Sequence, residues 1–267
     1  MSFEPTHAPL FELIRRGEAP TDVRRLAAQG ELPARAHEQL ALLAALVRDP
    51  DPDVAAAAQA TLAAVPPPRL AAVLRRSDVP PDLRAQFTVV VPESDIPSLE
   101  ADAPLIEVGA LDEVALQIDD APAEPAEEGP ARRVPVSSLP VIERVKLAMR
   151  GTREQRTVLV RDPNRLVAAA VLSCPKLSES EVEGFARMTN VSEDVLRVIG
   201  TTRHWMRNYG TVAALARNPK TPLAISMPLI TRLNDRDIKS LSVDRNVPEG
   251  VRVAARKIVV AAASRQK

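Results

Sequence analysis

Apolar positions in the C-terminal half recur on a fixed beat. Leu139, Val167, Val195, Leu223 and Val251 follow one another in equal steps of 28. Five positions upstream runs a column of turn formers, Val134, Asp162, Asn190, Asn218 and Asn246, followed by Pro135, Pro163, Val191, Pro219 and Val247. Ten positions past the apolar column lie Met149, Leu177, Trp205 and Leu233. A constant period in this range marks an array of similar supersecondary units, each too small to bury its own apolar face.

The unit from Asn218 to Arg245 shows what each period encodes. Leu223, Met227 and Ile230 stand at helical spacing and predict one inward face. Asn234 and Asp235 offer side-chain oxygens to cap a second helix, whose inner face is Ile238, Leu241 and Ser242. Asp or Asn followed by Pro forms the corner, because Asx residues tolerate helix-ending conformations and Pro fits only the first turn of the next helix. Gly151 predicts a helix end, and Thr152 with Gln155 and Ser178 with Glu181 have capping-box spacing. The prediction is an all-α chain whose residues 134–267 form an α-solenoid of stacked helix pairs, one pair to each step of the beat.

The N-terminal half carries a looser version of the corner, in Glu18-Ala-Pro-Thr-Asp-Val23, Asp49-Pro-Asp-Pro-Asp-Val54 and Asp78-Val-Pro-Pro-Asp-Leu83. Leu42, Leu43, Leu46 and Val47, then Leu70, Val73 and Leu74, supply apolar helix faces. Residues 1–91 therefore read as a smaller helical module of about three helix pairs.

The corner segments Arg48-Asp-Pro-Asp-Pro-Asp-Val54, Arg161-Asp-Pro-Asn-Arg-Leu-Val167 and Arg217-Asn-Pro-Lys-Thr-Pro-Leu223 resemble those of bacterial α-solenoid proteins of the HEAT-like and leucine-rich-repeat-variant type. The likeness covers residues 18–84 and 134–267. It implies a right-handed superhelix of the HEAT/armadillo kind and a bacterial binding protein without catalysis.

Charge divides the chain. The 35 basic and 35 acidic residues cancel overall, but residues 1–130 hold 10 Arg, no Lys and 23 Asp/Glu, whereas residues 131–267 hold 25 Lys/Arg against 12 Asp/Glu. No basic residue lies between Arg84 and Arg132. Residues 92–133 are rich in Pro and acids and read as a flexible linker. Within them Leu111, Val114, Ala115 and Ile118 are spaced as one face of a short acidic helix, with Leu105, Ile106 and Val108 preceding. Such a segment serves as a plain spacer, as an internal ligand for the basic array, or as a docking motif for another protein.

Two rows of cations follow the beat. Arg161, Arg217 and Arg245 precede the corner, with Thr189 breaking the row; a cation there also complements the helix dipole. Lys176, His204 and Arg232, with Arg203 and Arg207 beside them, mark the turn between paired helices and form either a solvated rim or a contact for carboxylates or phosphates. Trp205 falls in a packed column, and Tyr209 in an exposed one that suits ligand contact.

Catalytic patterns are missing. His7, His37 and His204 make no metal-spaced pair with each other or with Cys174, which reads as a small core residue. There is no phosphate-binding glycine loop and no nucleophile elbow. The expectation is a non-enzyme with no cofactor, no metal and no small-molecule substrate. Its partner is expected to be a protein presenting an acidic or acidic-apolar segment. Nucleic acid is the alternative, and a helical-repeat DNA glycosylase built around Trp205 a remote one. Met1 to Leu10 lacks a basic region followed by an apolar run, and no apolar stretch of about 18 residues occurs, so a cytoplasmic protein without a membrane span is expected.

Overall fold

The computed structural model describes residues 8–98, 104–106, 116–117 and 134–265. It is α-helical, with fifteen α-helices among the described residues. The one strand pairing described sets Leu116–Gln117 parallel to Val134–Pro135. No described helix is long and apolar enough to cross a membrane. Contacts divide the chain into two units: residues 1–155 with 169–175, and residues 156–168 with 176–267.

The first unit opens with α1 (Pro9–Arg15), α2 (Thr21–Ala28), α3 (Ala36–Leu46), α4 (Pro52–Ala64), α5 (Pro67–Leu74) and α6 (Pro81–Arg84), and also holds α7 (Val141–Arg150). Proline sets most of these starts. It stands in the first turn of α1, α4, α5 and α6, where its missing N–H costs nothing. The corner before α4 forms as expected. Asp49 Oδ1 accepts from the Asp51 amide at 2.9 Å, and Asp51 caps α4 by accepting from Asp53 N at 3.0 Å and Val54 N at 3.4 Å. The core gathers Ala36, Leu40, Val65, Val73, Leu74, Val79 and Leu83, together with Leu105. The Ser173 hydroxyl accepts from the Leu10 amide at 2.9 Å, and buried Cys174 donates to the Met149 carbonyl at 3.2 Å.

α8 (Arg153–Leu159) and α9 (Arg165–Leu172) carry the chain across the division. The second unit continues with α10 (Glu179–Arg187), α11 (Glu193–Thr201), α12 (Tyr209–Arg217), α13 (Leu223–Leu229), α14 (Asp235–Val243) and α15 (Glu249–Arg265). Ser178, Ser192, Asn208 and Asn234 cap α10, α11, α12 and α14 with side-chain oxygens. Ser178 and Glu181 complete the expected capping box.

The spacing of these helices corrects one expectation. The starts of α9, α11, α13 and α15, at Arg165, Glu193, Leu223 and Glu249, follow in steps of 28, 30 and 26. From the caps of α10, α12 and α14 to the start of the helix that follows each, the step is constant at 15: Ser178 to Glu193, Asn208 to Leu223, Asn234 to Glu249. All the variation lies in the other half, where the steps Arg165 to Ser178, Glu193 to Asn208 and Leu223 to Asn234 are 13, 15 and 11. The longest of these segments holds the 3₁₀ turn Trp205–Arg207. The extra length there, and its later loss, shift only the stretch between. Val167, Val195 and Val251 therefore sit at the third position of their helices and are buried, but Leu223 sits at the first position of α13 and is 50% exposed. Met227 is also exposed, so of the predicted inward face of Leu223, Met227 and Ile230 only Ile230 is buried, joined by Ser226 and Leu229.

Candidate functional site

The second unit carries a groove of about 920 Å³ along α10, α12 and α14 and the corners that follow them. Its charged and aromatic side chains are Arg187, Tyr209, Arg217, Asp237 and Asp244.

Tyr209 opens α12 and Arg217 closes it. Asp237 belongs to the first turn of α14, where Asn234 Oδ1 accepts its amide at 2.8 Å and the helix dipole favours its charge. The Tyr209 hydroxyl donates to one oxygen of the Asp237 carboxylate, and the Arg217 guanidinium donates to the other. Tyr209 in turn accepts from the Asn234 amide at 3.1 Å. The Tyr209 hydrogen bond and the Arg217 cation hold the Asp237 carboxyl below its usual range. Desolvation and the neighbouring Asp237 carboxylate push the Tyr209 phenol up, so it stays a protonated donor.

Arg187 closes α10 as Arg217 closes α12, and it pairs with Glu183 one turn back. The Glu183 carboxylate lies where a side chain on Gly210 would begin, so the glycine allows this close approach. Asn218 braces the floor. It is buried, its amide donates to the carbonyls of Ala186 and Met188 at 2.8 Å each, and its oxygen accepts from the Lys220 amide at 3.0 Å. One side chain thus satisfies the frayed end of α10 and shapes the next corner.

Of the residues expected at a site, Tyr209 and Arg217 line this groove. Arg245 is exposed and lies between two lining residues, Asp244 and Asn246. Arg161 folds back onto its own helix end, with Nε donating to the Thr157 carbonyl at 3.1 Å. Lys176, Arg203, His204, Arg207 and Arg232 are all exposed on the variable turns; His204 Nε2 lies 3.4 Å from Glu179, and Arg232 donates to the Met206 carbonyl. Trp205 is half-buried, and its neighbour Met206 takes the buried place in that turn. The segment with Leu111, Val114, Ala115 and Ile118 lies outside the described residues.

Arg187 and Asp237 went unnoticed in the sequence. The beat of 28 places Thr189 opposite Arg217, whereas the helices place Arg187 there, at the end of α10 as Arg217 is at the end of α12. Aligning on the caps Ser178, Asn208 and Asn234 rather than on the apolar beat would have found it. Among the described residues, no group of three His, Cys, Asp or Glu side chains is placed to hold a metal ion. Comparison with family models, with curated proteins and with solved structures found no match.

Proposed function

We propose that this chain is a cytoplasmic, non-catalytic adaptor. In this reading residues 134–267 form a HEAT-like α-solenoid whose helix pairs keep the beat of the sequence on average, and its groove holds an extended acidic segment of a protein partner or of the chain's own linker. The observation that carries the reading is the pair of arginines at matching ends of α10 and α12, both lining one groove. Their side chains are 67% and 40% exposed, so both guanidiniums present free edges to a ligand carboxylate while keeping Glu183 and Asp237. Neighbouring helices pack about 9 Å apart. An extended chain advances about 3.3 Å per residue, so a ligand with acids roughly three residues apart meets both arginines. The unit as a whole favours anions, with 19 Lys/Arg against 10 Asp/Glu.

The test is fluorescence anisotropy of the full chain with a labelled peptide of residues 107–130, against a duplex DNA oligonucleotide of matched charge. Peptide affinity is expected to fall at least ~10-fold when Arg187 and Arg217 are both changed to Ala, the loss of two charge-assisted contacts. An unchanged affinity refutes the groove as the site. Tighter binding of DNA, with log K falling by roughly 0.9 per phosphate contact with log salt, moves the function to nucleic acid.

A further inference from the structure

A second ligand-shaped arrangement lies in the first unit, far from the groove in sequence and independent of it. Residues 104–106, Pro-Leu-Ile, lie against α3 and α5 without belonging to a helix or strand. Gln39 of α3 is buried, and its side chain reads the segment's backbone from both sides. Its oxygen accepts from the Leu105 amide at 2.7 Å and the Ile106 amide at 3.0 Å, while its nitrogen donates to the Ile106 carbonyl at 3.3 Å and the Leu32 carbonyl at 3.2 Å. Arg69 of α5 donates to the Pro104 carbonyl at 3.0 Å. Between these clamps Leu105 drops into the core and is 1% exposed, packed with Leu40, Val65, Val73 and Leu74. Ile106 lies over Gly30, whose φ of 74° and missing side chain admit it; a Cβ there would stand 3.0 Å from Ile106 Cδ1. Side chains that hold a foreign backbone by its own N–H and C=O groups, around one pocketed apolar residue, are the working parts of peptide recognition.

We propose that this face of α3 and α5 is a recognition site for a short extended peptide with a buried leucine. Pro104–Leu105–Ile106 is its built-in occupant, and a protein partner presenting the same chemistry replaces it. Backbone reading by Gln39 and Arg69 is indifferent to sequence, so the leucine pocket supplies the selection. Tethering keeps the site filled until a competing segment exceeds the occupant's effective concentration.

The test uses the full chain as wild type and as the triple variant Pro104→Gly, Leu105→Ser, Ile106→Gly. The probe is a labelled peptide of residues 99–110, read by anisotropy. The variant is expected to bind it at least ~10-fold tighter than wild type, since the tethered competitor is gone. Adding Gln39→Ala to the variant, or Leu105→Asp to the peptide, should abolish the gain. Equal affinity for both proteins, or no binding by a variant that keeps the wild-type circular dichroism and melting curve, overturns the proposal. Hydrogen exchange on wild type covers a variant that fails to fold. The Leu105 and Ile106 amides are expected to open while α3 stays protected; if they exchange only with the slowest α3 amides, the segment is fixed core and the proposal falls.

Discussion

The buried ion pair of the second unit gives the sharpest quantitative prediction. Arg156 and Glu181 have side chains 7% and 3% exposed. Arg156 Nε and Nη2 reach Glu181 Oε1 at 2.9 and 2.8 Å, and Oε2 accepts from the Ser178 amide at 3.1 Å and its hydroxyl at 2.8 Å. Burial pushes the Glu181 carboxyl up, but hydrogen bonds from Ser178 and Arg156 outweigh it and hold the group below its usual value. Arg156→Met keeps most of the aliphatic stem and removes the cation. The carboxylate then stays buried with only the Ser178 donors, which places the loss near the low end of the usual range for a broken buried pair, about 3 kcal/mol. The pH dependence differs between the two proteins. In wild type the folded carboxyl lies below its unfolded value, so its contribution is complete above about pH 4.3 and fades as pH falls through the folded value. Arg156→Met loses the hydrogen bond and the charge of Arg156, so its folded value is higher than in wild type and protonation costs the variant less as pH falls. The gap is therefore widest near pH 7 and narrows towards pH 4. Urea unfolding read by fluorescence of Trp205, the chain's single tryptophan and a residue of the same unit, measures it directly. A gap under ~1 kcal/mol at pH 7, the scale of a surface pair, or one of equal size at both pH values, refutes the reasoning.

Three further outcomes are expected. Asn218→Ala strands the Ala186 and Met188 carbonyls, at about 1–3 kcal/mol for each group that stays buried, and Asn218→Asp is worse because a carboxylate then faces two acceptors; chemical denaturation of each variant reports this. Tyr209→Phe removes the leading cause of the depressed Asp237 value, so the Asp237 carboxyl titrates higher by carbon-detected NMR while the Arg217 pair remains. Leu223→Ala is expected within ~0.5 kcal/mol of wild type, as at other exposed sites, whereas Leu229→Ala costs about 2–5 kcal/mol; equal losses would mean the shift in register is absent.

Much of the helical architecture was legible because it is written locally. The capping box of Ser178 and Glu181, the Asn234 cap and the Asp49–Asp51 corner depend on residues close to one another in the chain, and all form as their spacing demands. The face of α13 was not legible. Its rotation depends on the length of the turn at Trp205–Arg207, and a beat that closes over two periods, 30 then 26, looks undisturbed at either end. The same hidden shift concealed Arg187. The burial of Leu105 was unreadable for another reason: its partner Gln39 is distant in the chain and polar, so neither periodicity nor composition links them. Asp237 belongs to a helix first turn, where an acid is ordinary, and that local role hides its place in the groove.

The two kinds of turn in the second unit bear unequally on where a ligand sits. A linear partner with regularly spaced groups needs receptor groups at a regular spacing, because each mismatch has to be absorbed by strain or by an unpaired charge. The corner side has that regularity, with the same step of 15 from the caps of α10, α12 and α14 to the next helix start and Asn218 locking one corner to the helix before it. Arg187 and Arg217 stand on this side. Lys176, His204 and Arg232 stand on the side whose steps run 13, 15 and 11, and their turns differ in length and in 3₁₀ content. On the proposed reading, cations there would raise the general field that draws an anionic partner in, an effect that tolerates irregular placement because it acts over a Debye length of about 8 Å. Register-dependent contact would then fall to the corner side. The row of exposed cations that the sequence made most visible would suit the approach of a partner, and the groove with its internally paired arginines would suit holding it.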